Sequence, residues 1–333
     1  MLRIAVLGAG RISRIHAANV AANPQASLVL IADPWRDAVD ELSAQWGCEG
    51  LYDYSAALLR DDVDAVIIGT ATDTHVDLLL QAVTVGKAVL CEKPIDLDLA
   101  KARHAVAEVE RLKGRVMLGF NRRFDPDTLA LRQAIDAGAI GAVRQVVITS
   151  RDNALAPRDY LRHSGGILRD MVIHDFDTAR HLLGEEPTEV FVMASRLVDP
   201  WLAEIGDYDS VMVSLKTDSG KQCHINACRE AVYGYDQRIE VSGASGVLFN
   251  DNQRATGVRT WTAAGTDTRA PLLDFFLERY AGAYRNELTH FIEAVTADLP
   301  MPTTVRDGLH ALHLAECGLR SLASGTVVRV PAL

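Results

Sequence analysis

Asp170 and His174 are the residues whose types and spacing best suit proton transfer. They stand four apart in residues 164–181, SGGILRDMVIHDFDTARH, which predict a glycine turn and a helix ending at Gly184. Four residues is about one helical turn, so both side chains would share a face, where a carboxylate can hold an imidazole that accepts protons near neutral pH. Asp177 and His181 repeat the spacing, so a surface ion pair is the alternative interpretation.

Glu92-Lys93-Pro94 supplies a second candidate, because it follows an apolar stretch that predicts a buried strand. Pro94 ends that strand and favours a cis peptide, which would direct Lys93 into the crevice at the sheet edge. A lysine there can donate to a substrate hydroxyl and favour its deprotonation. The alternative is a solvated lysine at a strand edge, with Pro94 starting a helix.

The N-terminal residues are typical of a dinucleotide site. The apolar run 2–7 leads into Gly8-Ala9-Gly10-Arg11-Ile12-Ser13, and a helical pattern follows. Gly8 permits the tight turn, and Gly10 lets the backbone approach a pyrophosphate at the helix N-terminus. Ser13 occupies the position of the usual third glycine, so the match to the dinucleotide-binding fingerprint is incomplete.

Asp33 stands at the end of a second apolar run, residues 28–32. An acidic residue at this distance from the glycines binds the adenosine ribose hydroxyls and repels a 2′-phosphate, so we expect NAD rather than NADP. The alternative role is a helix cap ahead of Pro34-Trp35.

The elements that must position these residues fall into two groups. Apolar strands alternate with amphipathic helices up to residue 120, which predicts a doubly wound parallel Rossmann sheet. Beyond it, period-two segments predict an α+β domain with a large, mostly antiparallel open sheet. The fold class is therefore α/β plus α+β, with domains at 1–121 and 122–333. Ligands bind at the carboxyl ends of parallel strands, where the following residues fall: Thr70, Thr72, Glu92, Lys93 and Asn121.

Composition narrows the functional class. The 333 residues include 44 acidic and 34 basic side chains, a net charge of −10, which argues against a nucleic-acid partner. No run of 18 apolar residues appears and Met1 leads directly into a strand, so we expect no membrane span and no secretory signal. Five scattered cysteines, at 48, 91, 223, 228 and 317, predict reduced thiols of a cytoplasmic protein, with no metal site.

Five motifs together resemble the Gfo/Idh/MocA oxidoreductase family. They are GAGRIS at 8–13, EKPIDLD at 92–98, GFNRRFDP at 119–126, SGGILRDMVIHDFDTAR at 164–180 and YGYDQR at 233–238. The resemblance covers essentially the whole chain in the family's order. It implies an NAD-dependent dehydrogenase of a cyclic polyol, with myo-inositol as the expected substrate and its 2-keto derivative as the product.

The resemblance also implies site residues, with the active site between the two domains. Lys93, Asp170 and His174 are the catalytic candidates. The cofactor candidates are Gly8, Gly10, Arg11, Ile12, Asp33, Thr70, Thr72, His75, Glu92 and Lys93. The substrate candidates are Asn121, Arg122, Asp152, Asn153, Asp170, His174 and Tyr235, with Tyr233 weaker. Arg122 could instead pair with Asp125 or Asp127, and Tyr235 could be a packed sheet aromatic.

Other functions fit the same motifs. They are a dehydrogenase of scyllo-inositol or an aldose, an NAD-retaining glycoside hydrolase, and a regulatory NAD-binding module. The resemblance further implies a homo-oligomer, expected to be a tetramer.

Overall fold

The computed structural model describes residues 1–333. The chain forms two compact units, and each is built from two segments. The first comprises Met1–Phe124 and Ala283–Leu312, and the second comprises Asp125–Gly282 and His313–Leu333.

The first unit contains the predicted parallel sheet. Its strands are β1 (Leu2–Leu7), β2 (Ala26–Ala32), β3 (Glu49–Leu51), β4 (Ala65–Ile68), β5 (Ala88–Glu92) and β6 (Val116–Gly119), in the order β3-β2-β1-β4-β5-β6. The connecting helices are α1 (Arg11–Ala22), α2 (Arg36–Trp46), α3 (Tyr54–Leu58), α4 (His75–Thr84) and α5 (Leu99–Arg111). This is the doubly wound Rossmann arrangement expected from the alternating apolar runs. Only the short edge strand β3 was not predicted.

Strand register explains why the glycine turn and Asp33 belong to one edge. Leu7 of β1 pairs with Ala32 of β2 on one side and with Ile68 of β4 on the other. The three strands therefore end level with one another, so the residues that follow them start from the same edge of the sheet.

A late segment completes the core of the first unit. Leu288, Phe291 and Ile292 of α11 (Ala281–Thr296) are at most 1% exposed and pack in one cluster with side chains of the parallel strands. Their i, i+3, i+4 spacing forms an apolar stripe. The sequence-based boundary at 121–122 had assigned this helix to the second domain, whereas the structure joins residues 283–312 to the first unit.

The second unit has a seven-stranded sheet. In chain order its strands are β7 (Val143–Arg151), β8 (Pro187–Ser195), β9 (Ser210–Thr217), β10 (Gln222–Cys228), β11 (Asp236–Gly243), β12 (Val247–Asn250) and β15 (Val328–Arg329). The spatial order is β12-β11-β7-β10-β9-β8-β15, and every pairing is antiparallel except β7 with β10. The α+β fold and its mostly antiparallel sheet are thus as predicted.

Two strands lie outside that sheet. Strand β13 (Arg259–Thr262) pairs only with β14 (Gly265–Arg269). The other helices of the second unit are α6 (Pro126–Asp136), α7 (Arg158–His163), α8 (Ile167–Asp170), α9 (Val172–Leu183) and α10 (Phe276–Arg279). The last long helix is α12 (Val305–Ser324). None of the helices combines the length and apolar character needed to cross a bilayer.

The helix expected between the glycine turn at Gly165-Gly166 and Gly184 is divided, which corrects the prediction of one continuous helix. Helix α8 ends at Asp170, Met171 adopts φ −94° and ψ −57°, and α9 starts at Val172. The amide of His174 donates to the carbonyl of Met171, three residues back, at 3.3 Å. Asp170 and His174 therefore lie on either side of the break. The predicted end is confirmed, because Gly184 caps α9 in the left-handed region at φ +63°.

Candidate cofactor and active-site residues

The glycine turn after β1 leaves open the N-terminus of α1. Gly8 has φ +110°, and a Cβ there would lie 2.7 Å from the carbonyl oxygen of Gly69. A Cβ on Gly10, by contrast, would meet nothing within 4 Å. Gly10 caps α1 without a side-chain hydrogen bond, and the first turn carries no acidic residue. Uncapped amides and the positive end of the helix dipole suit an anionic pyrophosphate.

Ser13, where the fingerprint usually has its third glycine, fastens α1 to the sheet. Its side chain is fully buried, and its hydroxyl donates to the carbonyl oxygen of Gly69 at 3.0 Å. The residue therefore permits close packing of helix and strand, and it adds a hydrogen bond that glycine could not make.

The carboxylate of Asp33 is held by two backbone amides. Its Oδ2 accepts from the amide of Ala9 at 2.9 Å, and its Oδ1 accepts from the amide of Trp35 at 2.8 Å. Asp33 therefore also fills the alternative role predicted from the sequence, since it accepts a hydrogen bond from the backbone just ahead of α2. The bond to Ala9 also fixes the carboxylate beside the glycine turn, which is compatible with contact to a ribose.

His75 links the loop after β4 to the Lys93-Pro94 segment. Its Nδ1 lies 2.8 Å from the carbonyl oxygen of Pro94, and its Nε2 lies 3.3 Å from that of Thr70. Burial lowers the pKa of this imidazole, which favours the neutral form. His75 thus connects two backbone segments through its ring nitrogens. Thr70 shares a 2.6 Å hydroxyl hydrogen bond with Thr74, and Thr72 begins a short 3₁₀ turn.

The Lys93–Pro94 peptide is cis, as predicted. Lys93 is half-buried, and its amide donates to Oε2 of Glu92 at 3.3 Å. Glu92 was expected beside the cofactor, but its side chain lies in the interior, where Oε1 is 2.8 Å from Nε2 of the fully buried His16.

Glu287 of α11, which is not among the site residues predicted from the sequence, lies close to this pair. One ligand atom from each of His16, Glu92 and Glu287 lies within 4.8 Å of the others. Neither oxygen of Glu287 receives a hydrogen bond from the protein. Burial, and next the charge of Glu92, raise the pKa of Glu287 well above its usual value. The 2.8 Å His16–Glu92 separation is a hydrogen-bond distance and is shorter than the roughly 3.3 Å between two ligands of a tetrahedral zinc ion.

In the second unit, Asp170 is held by partners that the sequence did not reveal. Its Oδ1 accepts from the hydroxyl of Tyr160 at 2.7 Å, and its Oδ2 accepts from Arg229 at 3.2 Å. Arg229 also donates to Asp207 at 3.2 Å. Burial and the charge of Asp170 raise the pKa of Tyr160, so this phenol stays a hydrogen-bond donor. His174 is half-buried on α9.

The remaining substrate candidates lie at strand ends or packed in the interior. Asn121 and Arg122 are buried in a 3₁₀ turn after β6. Asp152 and Asn153 follow β7 and are half-buried. Asp125 and Asp127, the alternative partners considered for Arg122, both accept hydrogen bonds from Arg279.

The two tyrosines before β11 differ. Tyr235 is 5% exposed and packs edge-on against Phe275 and Tyr280, which matches the packed-aromatic alternative. Tyr233 is 49% exposed, and its hydroxyl donates to Asp236 at 2.7 Å and accepts from Arg151 at 2.9 Å.

Family comparisons match both parts of the chain. Residues 2–120 match the oxidoreductase family model for an NAD-binding Rossmann fold, and residues 128–249 match the GFO/IDH/MocA C-terminal domain. The chain belongs to the Gfo/Idh/MocA oxidoreductase family. Its glycine turn and Asp33 therefore lie in the NAD-binding part of a Gfo/Idh/MocA protein, as the motifs predicted.

Relatives and solved structures within the Gfo/Idh/MocA family resemble the full chain. An inositol 2-dehydrogenase of Rhizobium meliloti (strain 1021) is 48% identical over 97% of each chain. A myo-inositol dehydrogenase structure from Corynebacterium glutamicum has a TM-score of 0.96 at 43% identity, with 100% of each chain covered. A scyllo-inositol dehydrogenase structure from Lactobacillus casei, with bound NAD(H) and scyllo-inositol, has a TM-score of 0.93 at 26% identity over 100% of each chain.

Proposed function

We propose that this protein oxidises myo-inositol to 2-keto-myo-inositol (scyllo-inosose), with NAD as hydride acceptor. The observation that carries the proposal is the 48% identity to an inositol 2-dehydrogenase over 97% of both chains. Such similarity extends across both the cofactor-binding part and the part that carries Asp170 and His174.

The residues of the first unit fit the cofactor. The amides at the start of α1 would hold the pyrophosphate, since Gly10 leaves open space there and no side chain caps the helix. Asp33 would accept hydrogen bonds from the ribose hydroxyls. Arg11 and Ile12 follow in the first turn, and Thr70 and Thr72 follow β4. NAD bound by these residues would supply the acceptor for the hydride of the carbinol carbon.

Three side chains of this protein are proposed to handle the substrate proton. His174 accepts the proton of the reacting hydroxyl, and the ionised Asp170 stabilises the resulting imidazolium. Lys93 stabilises negative charge that develops on the hydroxyl oxygen as the proton leaves. Asn121, Arg122, Asp152 and Asn153 are proposed to surround the ring hydroxyls, since an uncharged polyol requires several fixed hydrogen-bond partners. Tyr235 is left out of this set, because its ring packs against Phe275 and Tyr280.

The test is NADH formation by the purified protein. With NAD and myo-inositol we expect stoichiometric NADH and the 2-keto product. Release of a free sugar from a glycoside without net NADH formation would instead support the glycoside hydrolase alternative. Absence of turnover with any polyol, despite NAD binding, would favour a regulatory module.

Scyllo-inositol is the second candidate substrate, favoured by the similarity to the Lactobacillus casei structure. The two inositols differ in the configuration of one carbon, so the same residues would serve both. Comparison of kcat/KM for myo-inositol, scyllo-inositol and an aldose such as glucose ranks the candidates. We expect the largest value for myo-inositol.

We further propose a cytoplasmic homotetramer. One support is a set of exposed apolar side chains on strands β7, β8, β9 and β12 of the seven-stranded sheet, namely Val147, Met193, Met212 and Phe249. Several exposed apolar side chains on one sheet are more typical of a subunit interface than of a solvated surface. Light scattering coupled to size exclusion gives the mass, and Met212→Lys with Phe249→Lys should yield smaller species.

A further inference from the structure

Arg229 is a buried cation beside a proposed catalytic carboxylate. It directly follows β10, is 2% exposed and is among the largest fully buried side chains. One terminal nitrogen donates to Oδ2 of Asp170 at 3.2 Å, and the other donates to Oδ2 of Asp207 at 3.2 Å. Its backbone amide donates to the carbonyl of Asp209 at 2.8 Å. Side chain and backbone are thus both fixed.

The surrounding charges explain how this guanidinium is tolerated. A buried cation is unfavourable unless it is paired and hydrogen-bonded. Burial alone would lower the pKa of Arg229, but the charges of Asp170, Asp207 and Asp152 outweigh it and raise that pKa. These anions come from α8, the loop before β9 and the end of β7. Tyr160 of α7 contributes a further polar group, through its bond to Asp170.

The same contacts connect the two ends of helix α8. Asp207 accepts a hydrogen bond from the amide of Ile167, the first residue of α8, at 2.8 Å. Asp170 is the last residue of that helix. Arg229 therefore ties the residue that caps the start of α8 to the residue that ends it, immediately before the break at Met171. Rotation of the Asp170 carboxylate would break a bond to Arg229, a bond to Tyr160, or both.

We infer that Arg229 is a positioning residue, which holds the Asp170 carboxylate in the orientation needed for proton transfer with His174. The inference rests on the proposed function, in which Asp170 and His174 handle the hydroxyl proton. Arg229 itself does not contact the substrate in this role. Its effect should therefore appear in turnover and in pH dependence, while NAD binding by the first unit should be unaffected.

The test compares Arg229→Gln and Arg229→Lys with the wild-type enzyme. For Arg229→Gln we expect kcat to fall on the order of 10²-fold, the usual consequence of a misplaced catalytic group, with an unchanged KM for NAD. The acidic limb of the kcat/KM profile should move to higher pH. Without the cation, the negative charge of Asp170 acts more fully on the imidazolium form of His174 and stabilises it. Arg229→Lys, which keeps the charge, should recover part of the activity.

Arg279 provides a matched control. It is 4% exposed in the same unit and bridges Asp125 and Asp127 at 2.5 and 3.3 Å. Arg279→Gln should lower thermal stability, as Arg229→Gln should, but it should leave the pH profile in place. Equal effects of the two substitutions on kcat and on the profile would overturn the inference, because Arg229 would then be only a structural ion pair.

Asp207→Asn tests the inference even if Arg229→Gln does not fold. It keeps an oxygen to accept from Ile167 but removes one of the charges that Arg229 balances. The cation then acts more fully on Asp170, so the acidic limb should move to lower pH, opposite to the Arg229→Gln shift. A shift in the same direction, or no shift in folded Asp207→Asn, would contradict the role.

Failure of the proposed function would be visible separately, as absence of NADH formation by the wild-type protein with every polyol. The positioning role is then judged by NMR titration of the His174 imidazole, assigned by comparison with His174→Gln. Arg229→Gln should raise the midpoint of that titration relative to the wild type and to Arg279→Gln. An unchanged midpoint would overturn the inference.

Discussion

At the scale of single residues, two backbone amides fix the orientation of the Asp33 carboxylate. Both oxygens accept amide hydrogen bonds, from Ala9 and Trp35, so the carboxylate cannot easily turn away from an extra phosphate. Arg36 is the nearest following cation, and its guanidinium lies 4.3 Å from the centre of the Tyr52 ring.

Asp33→Asn should therefore narrow the preference for NAD over NADP. The amide keeps an acceptor oxygen for the backbone but removes the charge that repels the 2′-phosphate. We expect the ratio of kcat/KM values for NAD and NADP to fall by about 10-fold, which corresponds to about 1.4 kcal/mol. Steady-state kinetics with both cofactors measures the ratio. Equal kcat/KM values for the wild-type enzyme would refute the ribose assignment.

Lys93 should contribute to turnover rather than to cofactor affinity. Lys93→Met should reduce kcat by on the order of 10²–10³-fold and leave NAD affinity nearly intact, because its charge acts on the developing oxyanion. Steady-state kinetics and NAD titration separate the two effects. Lys87→Met is the control, since Lys87 donates to the backbone carbonyls of Arg60 and Val63, both at 2.6 Å, and so has a structural role. A Lys93→Met enzyme with normal kcat would remove Lys93 from the mechanism.

Asp170 and His174 should behave as one unit. His174→Gln should lower kcat by roughly 10²–10⁴-fold, the usual contribution of a positioned proton acceptor, and Asp170→Asn should also be severe. The losses should not add in the double variant. Oxidation by the wild-type enzyme should rise with pH as the imidazole loses its proton. If His174→Gln kept most of its kcat and the wild-type pH profile, proton removal would have to be reassigned to Lys93.

At the scale of elements, the Ser13 hydroxyl links α1 by a hydrogen bond to Gly69, the residue that follows β4. Ser13→Ala should destabilise the protein by about 1–3 kcal/mol, because the buried carbonyl of Gly69 would lose its donor. Thr84→Ala is the control, since the Thr84 hydroxyl donates to the Leu80 carbonyl on an exposed helix face and should matter little. Urea unfolding compares the two. Equal, small losses would mean that Ser13 serves only as a small residue.

The break between α8 and α9 illustrates a limit of sequence patterns. The apolar stripe continues through Met171 with helical spacing, so the sequence contains no signal for an interruption. The glycine turn, Asp33 and the cis Lys93–Pro94 peptide were predictable, because they depend on local residue types next to strand ends. The partners of Asp170 were not predictable, since Arg229 lies 59 residues away along the chain.

At the scale of the whole molecule, the parallel sheet could be predicted because every one of its strands except the short edge strand β3 lies in a largely apolar run. The sequence could not predict that α11 belongs to the first unit, because an apolar stripe shows that a helix face is buried but not which core it packs against. The sequence of α11 does contain a signal for a buried acidic residue. Glu287 interrupts the apolar stripe of α11 beside Leu288 and one turn before Phe291, which marks a buried carboxyl group.

Glu287 should make stability depend on pH. Burial raises its pKa in the folded state, so the folded protein retains a proton that the unfolded chain releases above pH ~4.3. Stability from this group is complete below that pH and is lost, at about 1.4 kcal/mol per pH unit, as the pH rises toward the folded-state pKa.

Glu287→Gln, which cannot ionise, should therefore raise the urea midpoint at pH 8 and change it little at pH 5. Glu293→Gln, at an exposed position of α11, is the control and should leave the pH dependence unchanged. A lower midpoint for Glu287→Gln at pH 8 would show instead that the folded protein depends on an ionised Glu287.

The two-segment construction of the first unit also affects how the chain can fold during synthesis. The parallel strands are complete by residue 119, but Leu288, Phe291 and Ile292 belong to the same core. At about 5–20 residues per second, the ribosome needs on the order of ten seconds or more to reach them. Throughout that interval the nascent sheet lacks the helix that covers part of its apolar surface. Chaperone binding and aggregation would therefore compete with folding mainly during this interval, while α11 has not yet been synthesised.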